Sequence, residues 1–172
     1  MTAEGLEVRP LTEAERPRLR ESLIHDWGGP EIVSRGRVHD ASQAPALGAF
    51  RRGRLVGLLT FVTDGDECEV LTLGASERRQ GVGSALLAAV TEAARAGGCR
   101  RLWLITTNDN HNAIRFYQAS GMRLVAVHEG AVEVARRLKP SIPEFAPDGT
   151  RISDELEFEA ELVGPGAERA SA

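Results

Sequence analysis

Apolar residues recur along this chain in two rhythms, and the change from one to the other sets where strands give way to helices. Residues 6–10 (LEVRP) alternate like a short strand, and Thr12 with Glu15 makes the T-x-x-E pattern of a capping box ahead of a helix to about His25. Between Asp26 and Pro45 glycine and proline interrupt the periodicity, and the segment predicts a second short helix with a flexible loop. ALGAF (46–50), a turn at 51–54 and LVGLLTFV (55–62) predict a hairpin; the turn TDGD (63–66) then leads into a third antiparallel strand, ECEVLTLGA.

Beyond the glycine turn at 81–83, SALLAAVTEAARA places apolar or small residues at 85, 86, 89, 90, 93 and 94, a helical spacing that Gly97 and Gly98 end. RRLWLIT (100–106) reads as a strand, the following segment as a helix capped by Asn110 and ended by Gly121, and 122–128 as another strand. AVEVARRLK predicts a helix, KPSIPEFAPDG a loop, and DELEFEAELV a last strand. There Leu156, Phe158, Ala160 and Leu162 alternate with Glu155, Glu157, Glu159 and Glu161, so the expectation is an acidic row facing outward. Residues 165–172 are expected to fray.

Composition narrows the function. A chain of 172 residues supports one domain, here 1–164 with an insertion at 129–151, that buries a core without staples. Cys68 and Cys99 sit in apolar stretches, which suits reduced core thiols and a cytoplasmic setting. No apolar run reaches the roughly 20 residues that cross a bilayer. The net charge of -4, with no block of like charges, argues against nucleic acid as a partner. The histidines His25, His39, His111 and His128 show no metal-ligand spacing, so no metal is expected.

RRQGVGSALL (78–87) carries the chemistry. A strand, a tight glycine turn and a helix leave backbone N–H groups unpaired at a helix N-terminus, where the dipole favours an anion such as phosphate. A P-loop needs a lysine after the second glycine, and none is there; a dinucleotide fingerprint needs a small residue at position 86, which is Leu86. What fits is R-x-x-G-x-G, with Arg78, Gly81 and Gly83.

With that turn, and with NHNAIRFYQASGM matching N-x-x-A-x-x-F-Y-x-x-x-G-F at Asn110, Ala113, Phe116, Tyr117 and Gly121, the chain resembles the GNAT family of N-acetyltransferases over roughly residues 6–128. Met122 stands where that family usually has Phe. The C-terminal stretch resembles a bacterial subgroup with no agreed acceptor. The resemblance implies an α/β (α+β) fold, a mixed but mostly antiparallel central sheet flanked by helices, with a splayed strand pair holding coenzyme A. It also implies acetyl transfer from acetyl-coenzyme A to a primary amine of a small molecule, by direct attack in a ternary complex, and allows a homodimer. The rival is a non-catalytic acyl-coenzyme A binding module that uses the acidic strand or the insertion as a partner surface.

The same resemblance implies roles. Arg78, Arg79, Gln80, Gly81, Val82, Gly83 and Ser84 would hold the pyrophosphate. Leu71, Leu73, Thr106, Asn110, Ala113 and Phe116 would line the pantetheine channel, a backbone N–H near Leu73 polarising the thioester. Tyr117, the chain's single tyrosine, stands at the general-acid position, against the plainer reading of a core aromatic. Glu67 and Glu69 share a strand face and compete as base with each other, with water, and with the reading that both are solvated. Trp27, Arg35 and His39 lie in the segment that would line the acceptor site, helped by the insertion around Lys139–Pro143, and Arg35 or His39 would favour an acceptor bearing an acidic group.

Overall fold

The computed structural model describes residues 5–77 and 79–163. Strand β1 (Leu6–Pro10) leads through a 3-10 turn (Glu13–Glu15) into helix α1 (Arg16–Trp27). At that junction the Thr12 N–H donates to Glu15 Oε2 at 2.9 Å, and Arg9 grips the same carboxylate. Two short strands follow, β2 (Glu31–Ser34) and β3 (Arg37–Asp40), then the meander β4 (Ala46–Arg51), β5 (Arg54–Asp64) and β6 (Glu67–Ala75). Helix α2 (Val82–Ala96), β7 (Arg101–Thr107), α3 (His111–Ala119), β8 (Arg123–His128), α4 (Ala131–Leu138) and β9 (Glu155–Glu161) complete the described chain. Arg78 and the tail expected to fray lie outside the described residues.

One sheet runs β1-β4-β5-β6-β7-β9-β8, antiparallel throughout except for the parallel pair β6–β7. Its strand alternation feeds two cores. Leu59, Val70, Leu104 and Phe158 point to the face covered by Leu86 and Val90 of α2, and Leu58 and Leu71 to the face covered by Leu19 and Leu23 of α1. Each leucine buried in this way is worth roughly 1.5–3 kcal/mol. Cys68 and Cys99 are free thiols inside the first core.

Two expectations are overturned. The segment after α1 holds no second helix: residues 31–40 form the separate hairpin β2–β3 in the register Glu31↔Asp40 to Ser34↔Arg37. Arg35 (φ 48°) and Gly36 (φ 73°) make its two-residue turn, with both central residues at positive φ, as at Arg52 (49°) and Gly53 (76°) between β4 and β5. The second correction concerns β9, whose acidic row does not face outward. Glu155 and Glu157 are buried, and only Glu161 at the end of the row is largely exposed. The period-2 pattern is real, but β9 lies between β7 and β8, so its acidic side meets Arg101 and His128 of those strands rather than water.

Candidate active site

The parting of two strands organises the site. β6 and β7 pair from Glu67↔Arg101 to Val70↔Leu104 and no further, although β6 continues to Ala75 and β7 to Thr107. The cause is a β-bulge. On β5, Thr60 faces Thr72 and Phe61 faces Val70, which leaves Leu71 without a partner. An extra residue in one strand bends it and increases its twist, so β6 swings away from β7 from this point. The bulge also breaks alternation: Leu71 packs on the α1 side, Leu73 on the α2 side. Beyond Val70 the β7-facing edge of β6 has no strand partner among the described residues, a gap with free backbone groups on one wall.

Below that gap the glycine turn opens α2. Arg79 (φ 59°) and Gly81 (φ 76°) take left-handed conformations, and Gly81 is the N-cap. The N–H of Ala85 donates to Gly81 O at 3.0 Å, so the amides of Val82, Gly83 and Ser84 ahead of it have no carbonyl to reach in the helix. No acidic side chain occupies this first turn. Gly83 is held by packing as well: a β-carbon there would sit 3.2 Å from the Phe116 ring of α3. The cradle of amides, free of side-chain bulk, fits a pyrophosphate. Asn110 caps α3 by accepting the Ala113 N–H at 3.2 Å. Tyr117 packs edge-on to Phe116 and against Phe158, and burial pushes its hydroxyl up to about 12. Burial is the cause of that shift, with no charged neighbour contributing.

Two cavities meet at Glu69. The first, a cleft of about 370 Å³, lies over the strand gap, with Leu71, Thr106 and Asn110 on the donor side and Trp27, Ile32 and Ser34 on the other. Val132, Ile142, Pro143 and Ile152 of the predicted insertion close it. The second, about 620 Å³, takes in Arg35, Arg37, His39, Glu67 and Trp103, and shares Ser34 and Glu69 with the first. The structure therefore brings Trp27 to the cleft and leaves Arg35 and His39 in the adjoining cavity.

Glu69 precedes the last paired residue of β6, so it stands at the apex of the gap, only 6% exposed. Ser34 Oγ donates a short hydrogen bond to it, and His39 Nε2 lies 3.8 Å from its second oxygen. That imidazole nitrogen is buried with no hydrogen-bond partner among the described residues. Burial pushes the Glu69 carboxyl up, against the pull of Ser34; burial, then the charge of Arg37, holds His39 below its usual value and so neutral near pH 7. Glu67 is different: its side chain is 44% exposed and leans on Arg101 at 3.5 Å.

The sequence pattern gave no warning of Ser34, Glu155 and Lys139 as a group. Glu155 lines the cleft, and its Oε2 accepts the backbone N–H of Arg35 at 3.1 Å. Lys139 Nζ donates to the carbonyls of Trp27 and Glu31, each at 2.6 Å, and so ties the insertion to the start of the hairpin.

Comparison with known proteins bears on this arrangement. Residues 7–122 match the model of the acetyltransferase (GNAT) family. The uncharacterized protein YdhI of Bacillus subtilis (strain 168) is 40% identical over 152 residues, which covers 88% of this chain and 95% of that protein. Among solved structures, an IAA acetyltransferase from Bacillus cereus ATCC 14579 superposes with a TM-score of 0.71 at 19% identity, covering 91% of this chain and 99% of that one. A GNAT family acetyltransferase from Elizabethkingia anophelis with acetyl-CoA bound gives 0.66 at 18% identity, covering 92% and 99%. At such identities the likeness is one of fold. Among the described residues no helix is long and apolar enough to cross a membrane.

Proposed function

The chain belongs to the GNAT acetyltransferase family, and from that premise we propose that it is an acetyl-coenzyme A dependent N-acetyltransferase. Its acceptor is the primary amine of a small molecule, and transfer is direct, in a ternary complex. One observation carries the reading: a buried carboxylate, Glu69, stands at the apex where β6 leaves β7, above a cleft that opens along the parted strands.

The residues divide the work. Amides of Val82, Gly83 and Ser84, with Gln80 and Gly81 before them, receive the pyrophosphate. Unpaired backbone of β6 about Leu71 and Leu73, with Thr106, Asn110, Ala113 and Phe116 opposite, lines the pantetheine channel. Acetyl-coenzyme A, when bound, supplies the acetyl thioester. A backbone N–H of β6 beyond the bulge polarises the carbonyl, as in an oxyanion hole. Glu69 accepts the ammonium proton; its raised pKa brings it closer to the amine, so the transfer is less uphill than to an ordinary carboxylate. Tyr117 keeps its phenol proton throughout the physiological range and is the acid that the departing sulfur needs. The buried free thiols of Cys68 and Cys99 suit work in the reducing cytoplasm.

The test is thiol release from acetyl-coenzyme A across a panel of amines. Amine-dependent release by the wild type and its loss in Glu69→Gln are expected. A coenzyme A-dependent rise in melting temperature with no release for any amine would make the chain a binding module and refute the catalytic reading.

A further inference from the structure

The lining of the cleft is one-sided in charge. Asp26, Glu69 and Glu155 reach it, and among the described lining residues there is no lysine, arginine or histidine; the rest of the wall is largely apolar, from Trp27, Ile32, Ile142 and Ile152. Nearby cations are engaged elsewhere. The Arg35 guanidinium stands 5.6 Å from the Trp103 ring, its Nε 3.7 Å from Glu157, and lines the adjoining cavity. Lys139 gives its protons to the two carbonyls already named. Asp26, at the exposed rim, is met by Ser22 and His25.

β9 sharpens the point, because its carboxylates share one face and fare differently. Glu157 is met by Arg101 at 2.5 Å and His128 at 2.7 Å; Glu159 by Arg101 at 2.6 Å and Arg123 at 2.9 Å. Glu155, the one that reaches the cleft, is 2% exposed and has no ion-pair partner among the described residues. The Arg35 N–H serves one of its oxygens, and no described group bonds the other. Burial pushes its carboxyl up, the Arg35 N–H and, at longer range, the charges of His128 and Arg35 partly offsetting this, and its charge in turn raises Glu69. A buried carboxylate with no ion pair in contact is costly, and a cationic ligand that enters beside it lowers that cost.

Resting on the N-acetyltransferase reading, we propose that the acceptor is a primary amine on an apolar body with no acidic group, its ammonium received by Glu69 and Glu155. Glu155 is then a binding and positioning residue that draws the ammonium toward Glu69. The acidic acceptor expected from Arg35 and His39 would instead bring a like charge against three carboxylates in a cleft whose described lining holds no cation.

Matched amines test this: hexylamine against 6-aminohexanoate, and benzylamine against 4-(aminomethyl)benzoate, followed by thiol release. We expect kcat/KM for the acid-free member of each pair to be higher by about 10²-fold, since like-charge juxtaposition at a desolvated site costs several kcal/mol. Glu155→Gln keeps an oxygen for the Arg35 N–H and removes the charge, so discrimination within each pair should fall by roughly tenfold, with KM for acetyl-coenzyme A unchanged. Equal or better turnover of the acid-bearing members overturns the proposal. Undiminished discrimination in Glu155→Gln removes Glu155 from it. If no amine is turned over, the enzymatic reading fails, and the cleft is judged by melting temperature with coenzyme A present: stabilisation by the acid-free amines alone supports the assignment, and equal or greater stabilisation by their acidic partners overturns it.

Discussion

The two halves of the candidate site are made of different material. On the donor side, backbone makes the site: unpaired amides at the start of α2, a glycine on which Phe116 closes, and a gap opened by a bulge. Side chains make the proposed acceptor side, with Ser34 from the hairpin, Glu155 from β9 and a wall from the insertion. Backbone sites demand particular residues at particular spacings, because only glycine permits the turn and the close approach. A side-chain site is met by whatever residues the scaffold brings together, so it leaves no spacing in the sequence.

The contrast can be broken most directly at Glu69, where the two halves meet. Glu69→Gln should lower kcat/KM by about 10³-fold, within the range for a lost general base, with the acetyl-coenzyme A KM within a few-fold. Because burial raises this carboxyl, wild-type activity should climb with pH on a limb above the usual carboxylate range, and the variant should lack that limb. An unchanged profile would hand the proton to water. Tyr117→Phe comes next, with kcat down roughly 10²-fold and coenzyme A affinity retained; undiminished kcat would leave Tyr117 as core packing alone.

Gly83→Val sharpens the donor side by separating two duties. The new side chain should abolish the coenzyme A-induced rise in melting temperature and also cost about 1–3 kcal/mol of stability through overpacking against Phe116. Adding Phe116→Leu should restore stability but not the coenzyme A response; recovery of both would mean that packing was the whole effect. Lys139→Met tests the opposite half. Releasing the insertion from Trp27 and Glu31 should raise the acceptor KM severalfold while the donor KM holds, and equal change in both would deny that the halves are separable.

The smallest effect should be on stability in Glu155→Gln. Its folded carboxyl lies above the unfolded value, so the native state binds that proton more tightly, and wild-type stability falls as pH rises through the raised value. The variant lacks this loss. It should gain in melting temperature over wild type at neutral pH, and the gain should shrink on acidification into the range where Glu155 is protonated.

The dipeptide Arg-Gly marks where the sequence was legible. At 52–53 it lies between long apolar strands and reads as a turn; at 35–36 it makes the same positive-φ turn, but its flanks, four residues each, carry too little apolar pattern to declare a strand. That hairpin is held from afar, by Ser34 on Glu69 and the Arg35 N–H on Glu155. On β9 the period of 2 was readable but the direction was not, because the side chains that let Glu157 turn inward come from β7, β8 and the hairpin turn. The bulge at Leu71 lacks any glycine or proline to announce it. The GNAT motif, the meander, α2 with its glycine stop and the Asn110 cap were all carried by local patterns, and the fold follows from them.

The position of β9 has a consequence for how the protein comes into being. Among the described residues β8 has no strand partner other than β9, which follows it in the chain only after α4 and a long loop. During synthesis, then, β8 must wait without that partner until the later strand slides between it and β7 and closes a large loop at an entropic cost. Glu155 arrives in that same stroke, so the donor cradle, made of earlier and more local pieces, can take shape before any acceptor floor exists. A chain that ends before β9 lacks Glu155 and the strand that joins β7 to β8, and on the proposed reading it has a donor cradle but no acceptor floor.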